Sequence, residues 1–532
     1  MSSCSEDRRR AAAPVPPAAM YPGDHTRLSA YLDYAVRSVL RVEAARPIQP
    51  TDYDTCWVAR LANPDGTLAY PDLRWRLLER QRPDGSWGGT IPYAHDRLVT
   101  TLAIVLLLAR FGRRQRDKAQ LLAGQSYIWQ HARTLRYEAH RTVGFEMILP
   151  TLLAEARELG VDLPYAQLRH YRRERTKKLS ILPTPQHLFE VRTSALFSLE
   201  AFAGELKVED AARLLLEDGS MATSPSATAF LLCQVSDWRS RYPKSVDYLE
   251  ELLARYEMVG LPPISPCDIF VRAWSMYYLY HGNLLAGHTE LVESNCQYLL
   301  KHWGPEGIGW ASTGLPEADD TAMVLLALVR TGYDVDGSRL LAYERDRHFA
   351  VLEHERDPSV SANLHILEAL DTIPSRARVR VRDKILGYVL RARQYGAYWT
   401  DKWHISPYYP TSRALMILPS HVPEDMEATA NWLLATQHVS GAWGHRAPTA
   451  EETALTLLAL LKYHREVRSL PHEPLHRAAR YLIIGEAPFQ EHYPELWFSK
   501  ALYAPTVVVR STILAALGLY HDTFDGSGSA WG

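Results

Sequence analysis

The chain has 532 residues, of which 47% are hydrophobic and 23% charged, and a formal net charge of -2. That length exceeds what one core fills, so two domains of ordinary soluble composition are expected. Basic and acidic residues are interspersed, with no stripe for nucleic acid and no polybasic membrane anchor, so neither partner is expected.

Residues 1–24, rich in Arg, Ala and Pro without an apolar core, read as a disordered arm rather than a signal peptide. The cysteines Cys4, Cys56, Cys233, Cys267 and Cys296 are scattered and form no Cys-x-x-Cys pair. This argues against a disulfide framework or a thiolate metal site, and for reduced packing residues in a cytoplasmic protein. No apolar run reaches the roughly 18 residues of a membrane span.

Beyond the arm the chain reads as helix after helix. Apolar segments rich in small residues recur at helical spacing over 101–111, 193–202, 227–235, 321–329, 453–463 and 511–520. Amphipathic segments such as 209–216 and 247–256 lie between them, and sustained period-2 alternation is almost absent. The fold class is therefore all-α, with helix pairs stacked into a curved or closed array. Short motifs punctuate it: Gln81-Arg82-Pro83-Asp84-Gly85-Ser86-Trp87-Gly88, Glu217-Asp218-Gly219-Ser220 and Gln437-His438-Val439-Ser440-Gly441-Ala442-Trp443-Gly444. A turn glycine with a Trp folding back over it would brace consecutive helices.

The stretch Leu315-Pro316-Glu317-Ala318-Asp319-Asp320-Thr321-Ala322-Met323 sets three carboxylates ahead of an apolar run. Two readings are open. Pro316 suits the first position of a helix, and acids suit its first turn, where free N–H groups and the dipole favour negative charge. Alternatively, crowded buried carboxylates cannot all ionise, and one keeps a proton and serves as a general acid.

The Gln-to-Gly-x-Trp motifs together with this Asp-x-Asp-Asp-like cluster resemble the class II terpene cyclases, which include squalene-hopene cyclases and copalyl diphosphate synthases. Tyr53-Asp54-Thr55-Cys56-Trp57-Val58-Ala59, His95-Asp96-Arg97-Leu98, Gly144-Phe145-Glu146, Ser224-Pro225-Ser226-Ala227-Thr228-Ala229 and Asp401-Lys402-Trp403 are similar to the diterpene branch. Ser406-Pro407-Tyr408-Tyr409-Pro410-Thr411 and Lys500-Ala501-Leu502-Tyr503 resemble its bacterial members. The resemblance runs in order from Thr51 to Tyr520.

It implies a βγ architecture of two α/α-barrel (toroid) domains. The β domain would comprise 25–59 and 287–521, the inserted γ barrel 60–286 and a flexible tail 522–532, with the cavity between the barrels. The implied reaction protonates the terminal alkene of geranylgeranyl diphosphate and closes a bicyclic decalin, with the diphosphate retained. A C15 diphosphate or a prenylated aromatic are alternative substrates, and a non-catalytic toroid scaffold is the alternative role. A protein prenyltransferase would need an Asp/Cys/His zinc set, and no such spacing is visible.

On this resemblance Asp319 is the proton donor, Asp320 supports it by hydrogen bonding, and Asn363 matches an asparagine that bonds the acid. Glu317 departs from the family's Asp by one methylene, so its carboxylate must fold back or alter the acid's hydrogen bonding. Phe197 and Pro263 stand where plant copalyl diphosphate synthases hold a terminating water through His and Asn. Neither accepts a proton, so the first bicyclic cation is expected to rearrange toward a halimadienyl- or clerodienyl-type diphosphate or to meet another base. Mg²⁺ is the expected cofactor, with Glu138 the carboxylate left in the acid-poor segment 136–141.

Lys178, Lys402, Arg413 and Lys500 are candidate diphosphate contacts, with Lys402 and Lys500 preferred for their motifs. Trp274, Tyr277, Trp310, Trp403, Tyr408 and Tyr409 are candidate cavity aromatics, Trp310 and Tyr408 foremost. The Asp-Asp-x-x-Asp cluster of class I synthases is lacking, because Met323 takes the third acid's place. The product would keep its diphosphate and pass to a separate class I synthase or phosphatase.

Overall fold

Two hydrophobic cores organise the chain, each ringed by helices whose burial reveals their layer. The structure, a computed structural model, describes residues 25–42, 46–180, 187–352, 355 and 357–524, so the N-terminal arm and the tail beyond Phe524 lie outside the described residues. The helix Ala94–Phe111 is buried without interruption from His95 to Leu108, and Ala318–Arg330 from Ala318 to Leu328. Helices apolar on every side belong to an inner ring, whereas Pro243–Arg255 and His472–Ile484 bury one stripe and face water with the other. Among the described residues the strands form one hairpin, Trp497–Phe498 (β1) paired antiparallel with Leu502–Tyr503 (β2).

The two cores correct the expected domain boundaries. The helix Asp52–Ala59 contributes Tyr53, Cys56, Trp57 and Val58 to the inserted core, not to the flanking one. The helix Asp268–His281 contributes Ile269, Val271, Trp274 and Tyr277 to the flanking core, not to the insertion. The chain enters and leaves the insertion side by side: Thr51 N donates to Leu261 O at 2.9 Å. A boundary drawn from apolar periodicity misses this, because a helix is equally apolar in either core.

The Trp-containing turns tie each helix to the next. Trp87 Nε1 donates to Leu77 O at 2.7 Å, and Gln81 Nε2 to Gly85 O at 3.0 Å and Gln120 O at 2.9 Å. Trp443 repeats this with Leu433 O, and Gln437 with Gly441 O and Pro474 O. Trp399, whose sequence lacks the full motif, makes the same bond to Val389 O at 2.7 Å. Gly85 has φ +88°, and a Cβ there would lie 2.5 Å from Ala123 O, so the next helix can pack only against glycine.

A segment around the hairpin joins the barrels. Leu502 N donates to Asp96 Oδ1 at 3.0 Å, Val143 N to Ser499 O at 2.8 Å and Thr90 N to Glu495 Oε2 at 2.6 Å. Lys500 pairs with Glu200 at 3.0 Å and donates to Phe197 O, Ser224 Oγ and Ser226 Oγ, while Ser226 Oγ donates to Asp54. The four described cysteines are free.

Candidate active site

Glu317 begins the helix Ala318–Arg330 as its N-cap, with φ -150° and ψ 162°. Its carboxylate folds back: Oε2 accepts from Asp319 N at 3.0 Å and Oε1 from Asp320 N. The extra methylene is what lets one side chain reach both amides, the ordinary task of a cap. Pro316 therefore precedes the cap instead of occupying the first helical position, and Asp319 and Asp320 fill the first turn. Glu317 N donating to Ile308 O, Ala318 N to Val351 O and Ile308 N to Thr321 Oγ1 hold this start in place.

All three carboxyls are buried, Asp319 with 9% of its surface exposed. Burial, reinforced by the neighbouring charges, drives the Glu317 carboxyl well above the usual range and lifts Asp320 to about 7. The Asp320 carboxyl hydrogen bonds with Glu317, and its Oδ1 has no partner. Asp320 is thus paired with Glu317, not with Asp319 as expected.

The partner of Asp319 is a residue the sequence reading missed. His365 Nδ1 lies 2.6 Å from Asp319 Oδ1, and the imidazole is fully buried. Asn363, the expected partner, faces elsewhere: Oδ1 accepts from Phe349 N at 2.8 Å, and Nδ2 donates to Phe349 O and Ser359 O. Positions two apart on a helix differ by about 200° around its axis, so Asn363 and His365 on Val360–Glu368 cannot serve the same neighbour. A histidine two positions beyond Asn363, between Leu364 and Ile366, was the available signal, since a buried imidazole needs a partner.

Asp319 opens on a cavity of about 170 Å³ between the two cores. Its wall is aromatic: Phe197, Phe270, Trp274, Trp310, Trp403, Tyr409, Trp497, Phe498 and Tyr503 all line it, with Val143, Ser194 and Ser499 toward the inserted barrel. Trp310 reaches across, donating from Nε1 to Thr223 Oγ1 at 2.9 Å. Tyr408 is not in the wall. Its ring packs 5.3 Å from Trp432, and Tyr409, a third of a turn further along Tyr408–Ile417, faces the cavity instead. Trp274 stands edge-on to His365, 5.9 Å between centroids.

No Lys, Arg or His side chain lines this cavity among the described residues. Lys402 is bound to Glu355 and to Asp357 O, and burial lowers it to about 7 although Asp319 and Glu317 pull it upward. Lys500 has every donor engaged inside the barrel junction, so a diphosphate cannot reach it. Arg413 is buried among tyrosines. Tyr277 donates to Glu368 and lies outside the wall. Lys178, 53% exposed, pairs with Glu146.

Glu138 does not offer an open metal ligand: Oε2 accepts from Arg446 at 2.8 Å and Oε1 from Ala94 N. No group of three His, Cys, Asp or Glu side chains among the described residues could hold a metal ion. No helix of the described residues is long and apolar enough to cross a membrane.

The chain is 32% identical over 499 residues to a type B diterpene cyclase of Mycobacterium tuberculosis, covering 90% of this chain and 96% of that one. It is 31% identical over 385 residues to ent-copalyl diphosphate synthase 1 of Oryza sativa subsp. japonica, of whose length that match spans 43%. Among solved structures it superposes on the ent-copalyl diphosphate synthase of Streptomyces platensis with a TM-score of 0.75 and 28% identity, covering 92% of this chain and 99% of that one. No family model matches.

Proposed function

Because the chain belongs to the class II diterpene cyclases, enzymes of protonation-initiated cyclisation with two α/α barrels, we propose that Asp319 delivers the proton and that the substrate is geranylgeranyl diphosphate. The observation that carries this reading is the carboxyl of Asp319, held by His365 at 2.6 Å in the wall of a buried aromatic cavity.

An alkene is a very weak base, so the donor must be dry, oriented and relieved of its proton irreversibly. In the productive arrangement His365 donates Nδ1–H to Oδ1, and Oδ2 carries the proton toward the alkene. The same N–H stabilises the carboxylate left behind. Glu317 and Asp320 retain a proton between them near neutral pH, which keeps the cluster from opposing Asp319 with two further negative charges. The C–H bond forms as the O–H bond breaks, and the cation then meets ring faces whose quadrupoles favour it.

The product is a bicyclic diphosphate with its phosphoester intact. Phe197 in the wall and the buried Pro263 supply no base at the inserted-barrel end, which supports rearrangement to a halimadienyl or clerodienyl skeleton. Lys178 and Arg141, the latter two residues before Val143 of the wall, are the proposed diphosphate contacts, and each must leave a carboxylate partner to serve. Mg²⁺ is proposed to arrive on the diphosphate, since Glu138 is engaged by Arg446. At about 170 Å³ the cavity is below the ~300–1,000 Å³ of ordinary ligand clefts, so a C20 chain must displace wall side chains on entry.

The test is incubation with geranylgeranyl diphosphate, phosphatase treatment and mass spectrometry of the alcohols, with Asp319→Ala in parallel. A bicyclic alcohol from the wild type and none from Asp319→Ala is expected. Substantial cyclisation by Asp319→Ala would sink the mechanism, and unrearranged copalyl diphosphate alone would remove the rearrangement.

A further inference from the structure

The helix Tyr408–Ile417 carries one side chain that its surroundings do not answer. Arg413 is fully buried, and Nε, Nη1 and Nη2 all lack a hydrogen-bond partner. Its guanidinium carbon lies 4.3 Å from the centroid of the Tyr277 ring, 4.6 Å from Tyr278 and 5.8 Å from Tyr409. A guanidinium stays charged at any pH a protein survives. A buried charge without partners is among the costliest groups a core can hold, and an apolar side chain would fill the same space.

The carboxylate in its field is already committed. Glu368 accepts from Tyr277 Oη at 2.7 Å and faces His281 and Arg330, each at 3.4 Å. The charge of Arg413 is therefore left largely unscreened by contact, and ring faces alone attend it. One of those rings, Tyr409, also lines the cavity that Asp319 opens on. A permanent cation thus stands one aromatic ring behind the wall, and that ring lies in the field of Asp319.

We propose that Arg413 is a positioning residue for charge: it favours the carboxylate that Asp319 becomes and opposes positive charge settling against Tyr409, so that the cation moves toward Phe197 and Trp310. The proposal rests on Asp319 as the proton donor. At an effective dielectric constant of about 20, a unit charge roughly 10 Å from an acid changes its ionisation equilibrium about tenfold, which sets the scale for a cation one ring behind a cavity wall. The effect needs no contact with substrate. It acts on the step where Asp319 loses its proton and on where the resulting cation resides.

Arg413→Met removes the charge at similar volume, and Arg413→Lys keeps it. With folding checked by circular dichroism, Arg413→Met should lose about tenfold in kcat with KM within threefold, and release a larger share of monocyclic diphosphate. Arg413→Lys should stay within about threefold of wild type in kcat and product pattern. Wild-type kcat and products from a folded Arg413→Met overturn the proposal, as does a folded Arg413→Lys that falls as far as Arg413→Met. If Arg413→Met does not fold, a folded Arg413→Lys with a tenfold loss overturns it alone. Failure of both to fold makes the residue a folding requirement and overturns it too. Asp319→Ala, run alongside, separates the readings: an inactive Asp319→Ala with a fully active Arg413→Met removes only the role of Arg413, whereas an active Asp319→Ala removes the acid itself.

Discussion

His365→Leu isolates the hydrogen bond on which the acid's orientation depends. The 2.6 Å bond from Nδ1 to Asp319 Oδ1 is made by a fully buried imidazole whose Nε2 has no partner among the described residues. Leucine roughly preserves volume but leaves Oδ1 unanswered when Asp319 becomes a carboxylate. A hydrogen bond to a charged group contributes about 1.5–3 kcal/mol, and that much lost from the transition state slows the step about 10- to 150-fold. The ground state should feel less, because the protonated carboxyl needs the bond less than the carboxylate does. Single-turnover cyclisation followed by phosphatase treatment and mass spectrometry reads the chemical step without product release. kcat should fall by that factor with KM nearly constant, since His365 bonds to Asp319 and not to the cations proposed for the diphosphate. A folded His365→Leu within twofold of wild type would refute the reasoning, and so would a rise in KM at constant kcat.

Glu317→Ala removes the cap of the acid helix and should cost about 1–2 kcal/mol in urea unfolding along with most activity, whereas Glu317→Asp should keep cyclisation because Asp is itself a preferred cap. The raised pKa values of Glu317 and Asp320 mean that the folded state binds protons more tightly than the unfolded chain. Stability from this pair is therefore greatest below the ordinary carboxylate range and falls as pH rises from about 4 to about 7, a slope that Asp320→Asn should flatten in pH-dependent unfolding. Turnover should likewise decline above pH about 7 as Asp320 ionises beside Asp319, and a rate rising steadily to pH 9 would contradict the assignment. Lys500→Met leaves Glu200 buried without its cation and should lower unfolding stability by about 3–5 kcal/mol; an unchanged denaturation midpoint would contradict its structural role.

The acid stretch was legible because crowded carboxylates before an apolar run are rare, and the Trp turns because they repeat. What stayed hidden was orientation. Asn363 and His365 lie in one short helix, and only the path of that helix decides which meets Asp319. Tyr408 and Tyr409 differ by one position, and a single step around a helix moves a ring from cavity to outer packing. Lys500 sits inside a recognisable motif, but a motif does not say whether its ammonium meets a ligand or the carboxylate and serines of the neighbouring barrel. The insertion points were misread for a related reason: pairing of Thr51 with Leu261 is a long-range event with no local signature.

The bridge between the barrels also bears on how this protein breathes. Glu495, Ser499, Lys500 and Leu502 each bond to a residue of the inserted barrel within one short segment of the flanking one. Such a seam leaves no free hinge, so the two halves should melt in one calorimetric transition despite their separate cores. Entry by the halves swinging apart would have to break those bonds together. A guest that displaces wall side chains instead should be captured slowly and with a steep temperature dependence, even where the chemistry itself is quick.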